Sequence, residues 1–380
     1  MELILKQYDI PLLRFSATND SSTPEIEVHW INEDQRHLLP LDMELSPEGI
    51  SRWMRRRTIP RNRAYVNRLL AKCGLNANRP MGILSLCKGL SVDDSYWVVE
   101  EGFEGTFEKY NLFENRFSEV LALIAFTGYG SSNRSSLASS PEFTTNGMLP
   151  KCWRRISGKV TLYKGGTDGG YNTGAEPYCE YYAAQIAAVM GIDAIPYGLS
   201  QWKGRLCSTC ELFTDIDHAY MPIGNLVQRG GFDAVATYYE KLGEPFQKAF
   251  RDMLVFDAVI CNTDRHYGNF GFMIDNKTNT IATPAPLFDH GNSLFNQAGP
   301  EDYESPEAFQ QYIDTLVPCV YDDFFATAKR FMADENREQL RKLLGFRFKR
   351  HVRYNLPPKR LKLMEEQVWK RAMRLLENKE

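Results

Sequence analysis

The stretch that most limits how this chain can fold is CNTDRHYGNFGF, Cys261 to Phe272. The run before it, PFQKAFRDMLVFDAVI, has the apolar spacing of a helix, and the run after it, NFGFMI, reads as a strand. Asp264, Arg265 and His266 therefore fall at a helix–strand junction. A plain turn would need only small or turn-forming residues there. Three ionisable side chains between two apolar elements mark a place where chemistry is expected.

The rest of the chain sets the frame. Its 380 residues exceed what one core usually fills, so more than one domain is expected. A formal net charge of -3 gives no global field for nucleic acid. MELILKQYDI carries an acid at position 2 and no signal-like apolar run, and EVLALIAFTGYG is too short to span a bilayer. Eight scattered cysteines are too few for a disulfide scaffold, so reduced thiols and a cytoplasmic location are expected, with no membrane partner. In CSTC, Cys207 and Cys210 supply half a zinc site with no second half in view, and are expected to sit in a buried strand.

Three regions follow from the patterning. Residues 1–105 read as an accessory α+β domain, with strands in QYDIPLLRFSA and IEVHWINED and helices in SPEGISRWMRR and IPRNRAYVNRLLAKCGL. Residues 106–216 read as a small strand-rich lobe. It holds a helix near NRFSEVLALIAFTG, the strand KVTLYKG, the helix EPYCEYYAAQIAAVMGI and two strands in PYGLSQWKGRLCSTCELF. Residues 217–380 read as mostly helical, with a hairpin around the Asn-rich turn 276–279 and a last helix whose stripe is Leu361, Met364, Val368, Ala372 and Leu375. From Arg52 to Lys72 eight basic residues occur with no acid. Such a run fits nucleic acid or an acidic partner, a solvated helix face, or docking on the next domain.

Asp264 and Asn269 are spaced D-x-x-x-x-N, the interval between the catalytic Asp and the magnesium-binding Asn of protein kinases. One carboxylate takes the proton of an acceptor hydroxyl. Five residues on, a neutral amide oxygen suits a hard cation without repelling a triphosphate. Asp289 in PLFDHGN stands where a second, directly metal-binding carboxylate is needed, in the manner of the kinase D-F-G. Lys164, closing a strand, suits the phosphates, with Glu180 or, less well placed, Glu176 to hold it. No G-x-G-x-x-G or Walker sequence is present, and TTNGMLPK, Thr144 to Lys151, is the best phosphate loop. KGGTDGG reads as a connector.

At these residues the sequence resembles the HipA-like serine/threonine kinases, first recognised in bacterial toxin–antitoxin modules. NTDRHYGNF (Asn262 to Phe270), PLFD (Pro286 to Asp289), CEYYAAQIA (Cys179 to Ala187) and CELF (Cys210 to Phe213) carry the likeness, which runs from about residue 130 to the end. It implies a two-lobed protein-kinase-like α+β fold and an ATP- and Mg2+-dependent kinase acting on a protein Ser or Thr. It further implies Asp264 as base, Asn269 and Asp289 as magnesium ligands, and Lys164 on the phosphates. Asn146, Gly147, Met148 and Lys151 would form the phosphate loop, Glu211 and Phe213 the adenine hinge, and His266 would lie beside the nucleotide. Autophosphorylation is implied at Thr144, with Ser139 and Ser140 as rival acceptors. A helix-turn-helix antitoxin partner is implied if the chain is a toxin.

The chain departs from the family at NGMLPK and in residues 1–105, which bears on the toxin role more than on the kinase role. The D-R-H-x-x-N pattern also resembles that of phosphatidylinositol kinases, so the acceptor class stays open. Two other readings compete. One is a non-catalytic kinase-fold regulator that binds nucleic acid or a partner protein. The other is a metal-dependent phosphohydrolase, since DRH and FDHGN resemble pieces of binuclear sites.

Overall fold

The computed structural model describes residues 1–18, 24–130, 140–169 and 174–377. Along the chain the elements are β1 (Glu2–Gln7), β2 (Ile10–Ala17), β3 (Ile26–Ile31), α1 (Pro47–Arg56), α2 (Val66–Lys72), α3 (Pro80–Cys87), β4 (Tyr96–Glu100), α4 (Phe107–Tyr110) and α5 (Glu119–Thr127). There follow β5 (Lys151–Ile156), β6 (Lys159–Gly165), α6 (Glu176–Met190), β7 (Gly198–Trp202), β8 (Arg205–Glu211), β9 (His218–Pro222), α7 (Ile223–Leu226), α8 (Gly231–Lys241) and α9 (Glu244–Ile260). The chain closes with β10 (Gly271–Asp275), β11 (Thr280–Pro284), α10 (Pro306–Asp314), α11 (Phe324–Phe331), α12 (Asp334–Arg341) and α13 (Pro358–Leu376). None of the described helices is long and apolar enough to cross a membrane.

Two compact units emerge. The first comprises Met1–Lys164, Glu211–Met221 and Met273–Ala282. Its antiparallel sheet has the order β3-β2-β1-β4. The inward residues Leu3, Leu5, Leu13 and Phe15 alternate along β1 and β2 and meet Ile50, Trp53 and Met54 of α1. Ser46 starts α1 as the sequence predicts, its hydroxyl accepting from the Gly49 amide at 3.1 Å. Two expectations fail locally. QYDIPLLRFSA is not one strand, because Tyr8, with φ 49°, turns β1 into β2. The predicted helix 59–75 shrinks to α2, because residues through Tyr65 are turns and Tyr65 itself has φ 59°.

A second apolar cluster in this unit joins Trp97, Val99 and Phe107 to Trp153 of β5 and Val160 of β6. The turn 276–279 belongs to the same unit for a specific reason. Asn279 donates to the carbonyls of His37 and Leu39 at 2.9 and 2.7 Å and accepts from the Tyr96 hydroxyl at 3.2 Å.

The second unit comprises Gly165–Cys210, Pro222–Phe272 and Thr283–Glu380. Helix α9 is its spine, with every residue from Asp252 to Ile260 buried. Tyr239 of α8 stacks on Phe250 of α9 at 4.8 Å, and Phe331 of α11 meets Phe250 edge-on at 5.6 Å. The predicted stripe of α13 is buried at all five positions. Arg371 of α13 donates from Nε to the Ala258 carbonyl at 2.6 Å, placing a cation at the carbonyl end of α9. Cys207 and Cys210 both lie on β8, three residues apart. An odd spacing on a strand sends two side chains to opposite faces, so they cannot share a metal.

Candidate active site

In the second unit the junction after α9 is built around Arg265. Cys261 ends the helix in the left-handed region, φ 53°, and turns the chain into the loop. The buried Arg265 guanidinium grips the buried Asp257 carboxylate of α9 with two bonds of 2.9 and 3.0 Å. Its Nη1 donates to the Asn269 carbonyl at 3.2 Å and to the Phe288 carbonyl at 2.5 Å, and its Nη2 reaches His290 Nδ1 at 3.0 Å. One side chain thus ties the Asn269 end of D-x-x-x-x-N to α9 and to the backbone next to Asp289. Burial raises the Asp257 carboxyl above its ordinary range, against the opposing pull of Arg265.

The remaining loop contacts orient the acids. The Asp264 backbone N–H donates to Asn262 Oδ1 at 3.1 Å, and its Oδ2 accepts from Asn292 Nδ2 at 2.8 Å. Asn269 donates from Nδ2 to the Asp264 carbonyl at 3.3 Å, which turns its amide oxygen away from that carbonyl. Asp289 has φ 55°, and its N–H donates to the Tyr197 hydroxyl at 3.1 Å. Non-glycine residues in that region are uncommon and often belong to sites. Glu180 on α6 is fully buried, and its Oε2 accepts the His290 amide at 2.8 Å. Glu176 instead accepts from the Thr167 hydroxyl and amide.

His266 is exposed, and its Nδ1 accepts from the Gly268 amide at 3.0 Å, so its visible work is to brace the loop. His290 is buried between Tyr197 and Phe256. Among the described residues no group of three or more His, Cys, Asp or Glu side chains is placed to hold a metal. Asn269, Asp264 and Asp289 offer one amide and two carboxylates, hard oxygen donors of the kind magnesium takes in small number.

In the first unit the register of β5 and β6 sets Lys151 opposite Lys164, so the two cations share one face of the hairpin. Lys151 Nζ donates to the Asn146 carbonyl at 2.8 Å and closes the loop. Gly147 has φ 91°, strained for any side chain, and a Cβ there would stand 2.2 Å from Lys151 Nζ and push that ammonium aside. Met148 is exposed, and its carbonyl accepts from the Ala64 amide at 2.9 Å. Thr144 is buried, with its hydroxyl donating to the Leu90 carbonyl at 2.9 Å. Ser140 is buried as the cap of a short turn, and Ser139 lies outside the described residues. Glu211 pairs with Lys159 at 2.7 Å at the surface, and Phe213 meets Tyr220 edge-on at 5.5 Å.

The basic run is largely spent inside this unit. Arg52 pairs with Glu44, Arg56 with Asp42 and Arg57 with Asp94. Arg68 donates to the Gly128 carbonyl at 2.8 Å. Arg63 and Glu142 form a wholly buried pair at 2.5 Å, and Arg63 also donates to the Lys151 carbonyl at 2.9 Å. Of the expected roles for this run, internal docking is the one these contacts serve.

The sequence reading missed the Asp257–Arg265 clamp and Asn292. An acid eight residues before Arg265, two turns up a helix, is the only local signal for the first. Asn292, three residues after Asp289, carries none.

No family model matches the chain. The serine/threonine-protein kinase CtkA of Helicobacter pylori (strain J99) is 27% identical over 135 residues, covering 32% of this chain and 41% of that protein. The chain thus spans less than half the length of this curated relative. The crystal structure of a Helicobacter pylori proinflammatory kinase CtkA aligns with TM-score 0.48 at 15% identity, over 61% of this chain and 90% of that one. HipA of Shewanella oneidensis MR-1, solved with HipB and operator DNA, aligns with TM-score 0.53 at 14% identity, over 98% of this chain and 97% of that one. That last likeness shows the fold: mixed α+β, with strand-rich and helix-rich regions, like that of a HipA protein.

Proposed function

We propose that the chain is a HipA-like, two-lobed kinase that transfers the γ-phosphate of ATP to a serine or threonine of a protein. The observation that carries this reading is the Arg265 clamp, which holds the Asp264–Asn269 loop and the Phe288 carbonyl beside Asp289 with one guanidinium. Two further facts support it: the distant similarity to a serine/threonine-protein kinase, and the HipA-like fold.

Asp264 is assigned as the base. It accepts the hydroxyl proton as the acceptor oxygen bonds to the γ-phosphorus, the bridging P–O bond breaks and ADP leaves. Asn269 and Asp289 would hold magnesium, which when bound neutralises phosphate charge. Lys164 and Lys151 supply cationic charge for the phosphates, with Asn146, Gly147 and Met148 as loop and Glu211 and Phe213 as hinge. Glu180, bonded to the His290 amide, ties α6 to the segment bearing Asp289. A cytoplasmic location, an antitoxin partner of helix-turn-helix type and autophosphorylation of the loop belong to the same reading. For Thr144, that last event requires the bond to the Leu90 carbonyl to open.

The test is phosphate transfer from labelled ATP with magnesium, with mass spectrometry of the protein itself. Asp264→Asn is expected to lose transfer by about 100-fold or more. Equal transfer in both proteins refutes the assignment.

A further inference from the structure

Asn292 lies three residues beyond Asp289, and nothing in the roles above requires it. Its side-chain amide nonetheless makes the direct contact to the Asp264 carboxylate, Nδ2 to Oδ2, at 2.8 Å. The orientation of that amide is set from its other end. Asn296 Nδ2 donates to Asn292 Oδ1 at 2.9 Å, so Asn292 must present its NH2 group to Asp264.

The segment that carries both asparagines is held at several points. Thr263 donates from its amide and its hydroxyl to the Asn292 carbonyl, at 3.1 and 3.2 Å. The Leu294 amide donates to the Ile260 carbonyl at 2.7 Å. Arg360 of α13 donates from Nη2 to the carbonyls of Phe295 and Asn296 at 3.1 and 3.2 Å. Leu294 and Phe295, both buried, have φ 48° and 62°. Two adjacent non-glycine residues in the left-handed region persist only where the surroundings over-determine them.

We infer that Asn292 is a positioning residue that fixes the rotamer of the Asp264 carboxylate, and that Asn296 sets it by fixing the sense of the Asn292 amide. This rests on the reading of Asp264 as the base. With Oδ2 held by Asn292, the other oxygen, Oδ1, is the one left to meet an acceptor hydroxyl. A carboxylate free to rotate spends less time in the geometry needed for proton transfer. The hydrogen bonds of Asn296 go to Asn292, Ser293 and Arg360 and not to Asp264, so an effect from that position is expected to travel through the amide.

The experiment compares ATP turnover, as phosphate released plus phosphate on the protein, in five chains: wild type, Asp264→Asn, Asn292→Ala, Asn296→Asp, and the last two combined. Asn292→Ala removes the donor to Asp264 and the acceptor for Asn296, while the backbone anchors from Thr263 remain. It is expected to lower kcat by about 10- to 100-fold with KM for ATP unchanged. Asn296→Asp puts an acceptor against Asn292 Oδ1, so the amide turns over and presents oxygen to Asp264. It is expected to match the loss of Asn292→Ala, and the double variant to be no worse than either. A purely structural role would instead give losses that multiply and a KM that moves. Loss in Asp264→Asn with wild-type kcat in Asn292→Ala, or multiplied losses in the double variant, overturns this inference alone. Full turnover in Asp264→Asn overturns the assignment of the base and the inference with it.

Discussion

Replacing Arg265 with methionine separates what the clamp does for stability from what it does for the loop. Arg265 and Asp257 are both buried, and breaking such a pair from one side leaves an uncompensated carboxylate, at about 3–5 kcal/mol. In a unit of roughly 150–250 residues each kcal/mol moves the midpoint by about 2–4 °C, so the expected fall in Tm at pH 8 is about 6–20 °C. The direction with pH follows from Asp257. Its carboxyl is raised by burial, so the folded state binds the proton more tightly than the unfolded chain. Stability from this group is therefore greatest below the ordinary carboxylate value of 3.8 and is lost as pH climbs through the folded value. Removing Arg265 removes the pull that opposes burial and widens that window. Arg265→Met should then lie closer to wild type at pH 5 than at pH 8.

The second arm is Arg265→Met with Asp257→Leu. Apolar replacement of a whole buried pair is often neutral or stabilising, so most of the lost Tm should return. ATP turnover should not return, because the bonds to the Asn269 and Phe288 carbonyls are still missing. Thermal melts at two pH values and a coupled ATPase assay decide it. Wild-type stability in Arg265→Met at pH 8, or recovered turnover in the double variant, refutes the reasoning.

Other outcomes are as specific. Gly147→Ala should weaken ATP binding several-fold by isothermal titration, because its Cβ collides with Lys151 Nζ and φ 91° is strained for alanine. Thr144→Val should lower Tm modestly, about 1 kcal/mol in stability, by leaving the buried Leu90 carbonyl without its donor. Cys319 is exposed, but partial desolvation of its sulfur and the nearby Asp264 carboxylate push its thiol up to about 11. Alkylation of Cys319 at pH 8 should therefore be slow, and faster in Asp264→Asn, as read by peptide mass spectrometry.

Much of the frame was readable because it depends on local pattern. Ser46, Gly191 and the stripe of α13 act through capping and periodicity, and each sits where those rules place it. The loop that carries D-x-x-x-x-N was readable because the apolar spacing changes from helical before it to strand-like after it, and the structure has a helix and a strand there. Tyr8 and Tyr65 were not, since a tyrosine in the left-handed region is decided by packing, and no residue type announces it. The partners of Arg265 were hidden for a related reason. Phe288 and His290 lie more than twenty residues away, and carbonyl acceptors leave no trace in a sequence. The run from Arg52 to Lys72 looked like one surface because composition shows charge but not where each head group is buried.

The Arg63–Glu142 pair bears on where such a chain could be divided. Arg63 belongs to the stretch whose sequence looks like a detachable module, yet it holds the Glu142 and Lys151 carbonyls from inside. Cutting the chain near residue 105 would strip a buried acid of its counter-ion and unmoor the strand that carries Lys151. The two halves of this unit therefore share one buried ion pair, and neither is a self-sufficient piece to express alone.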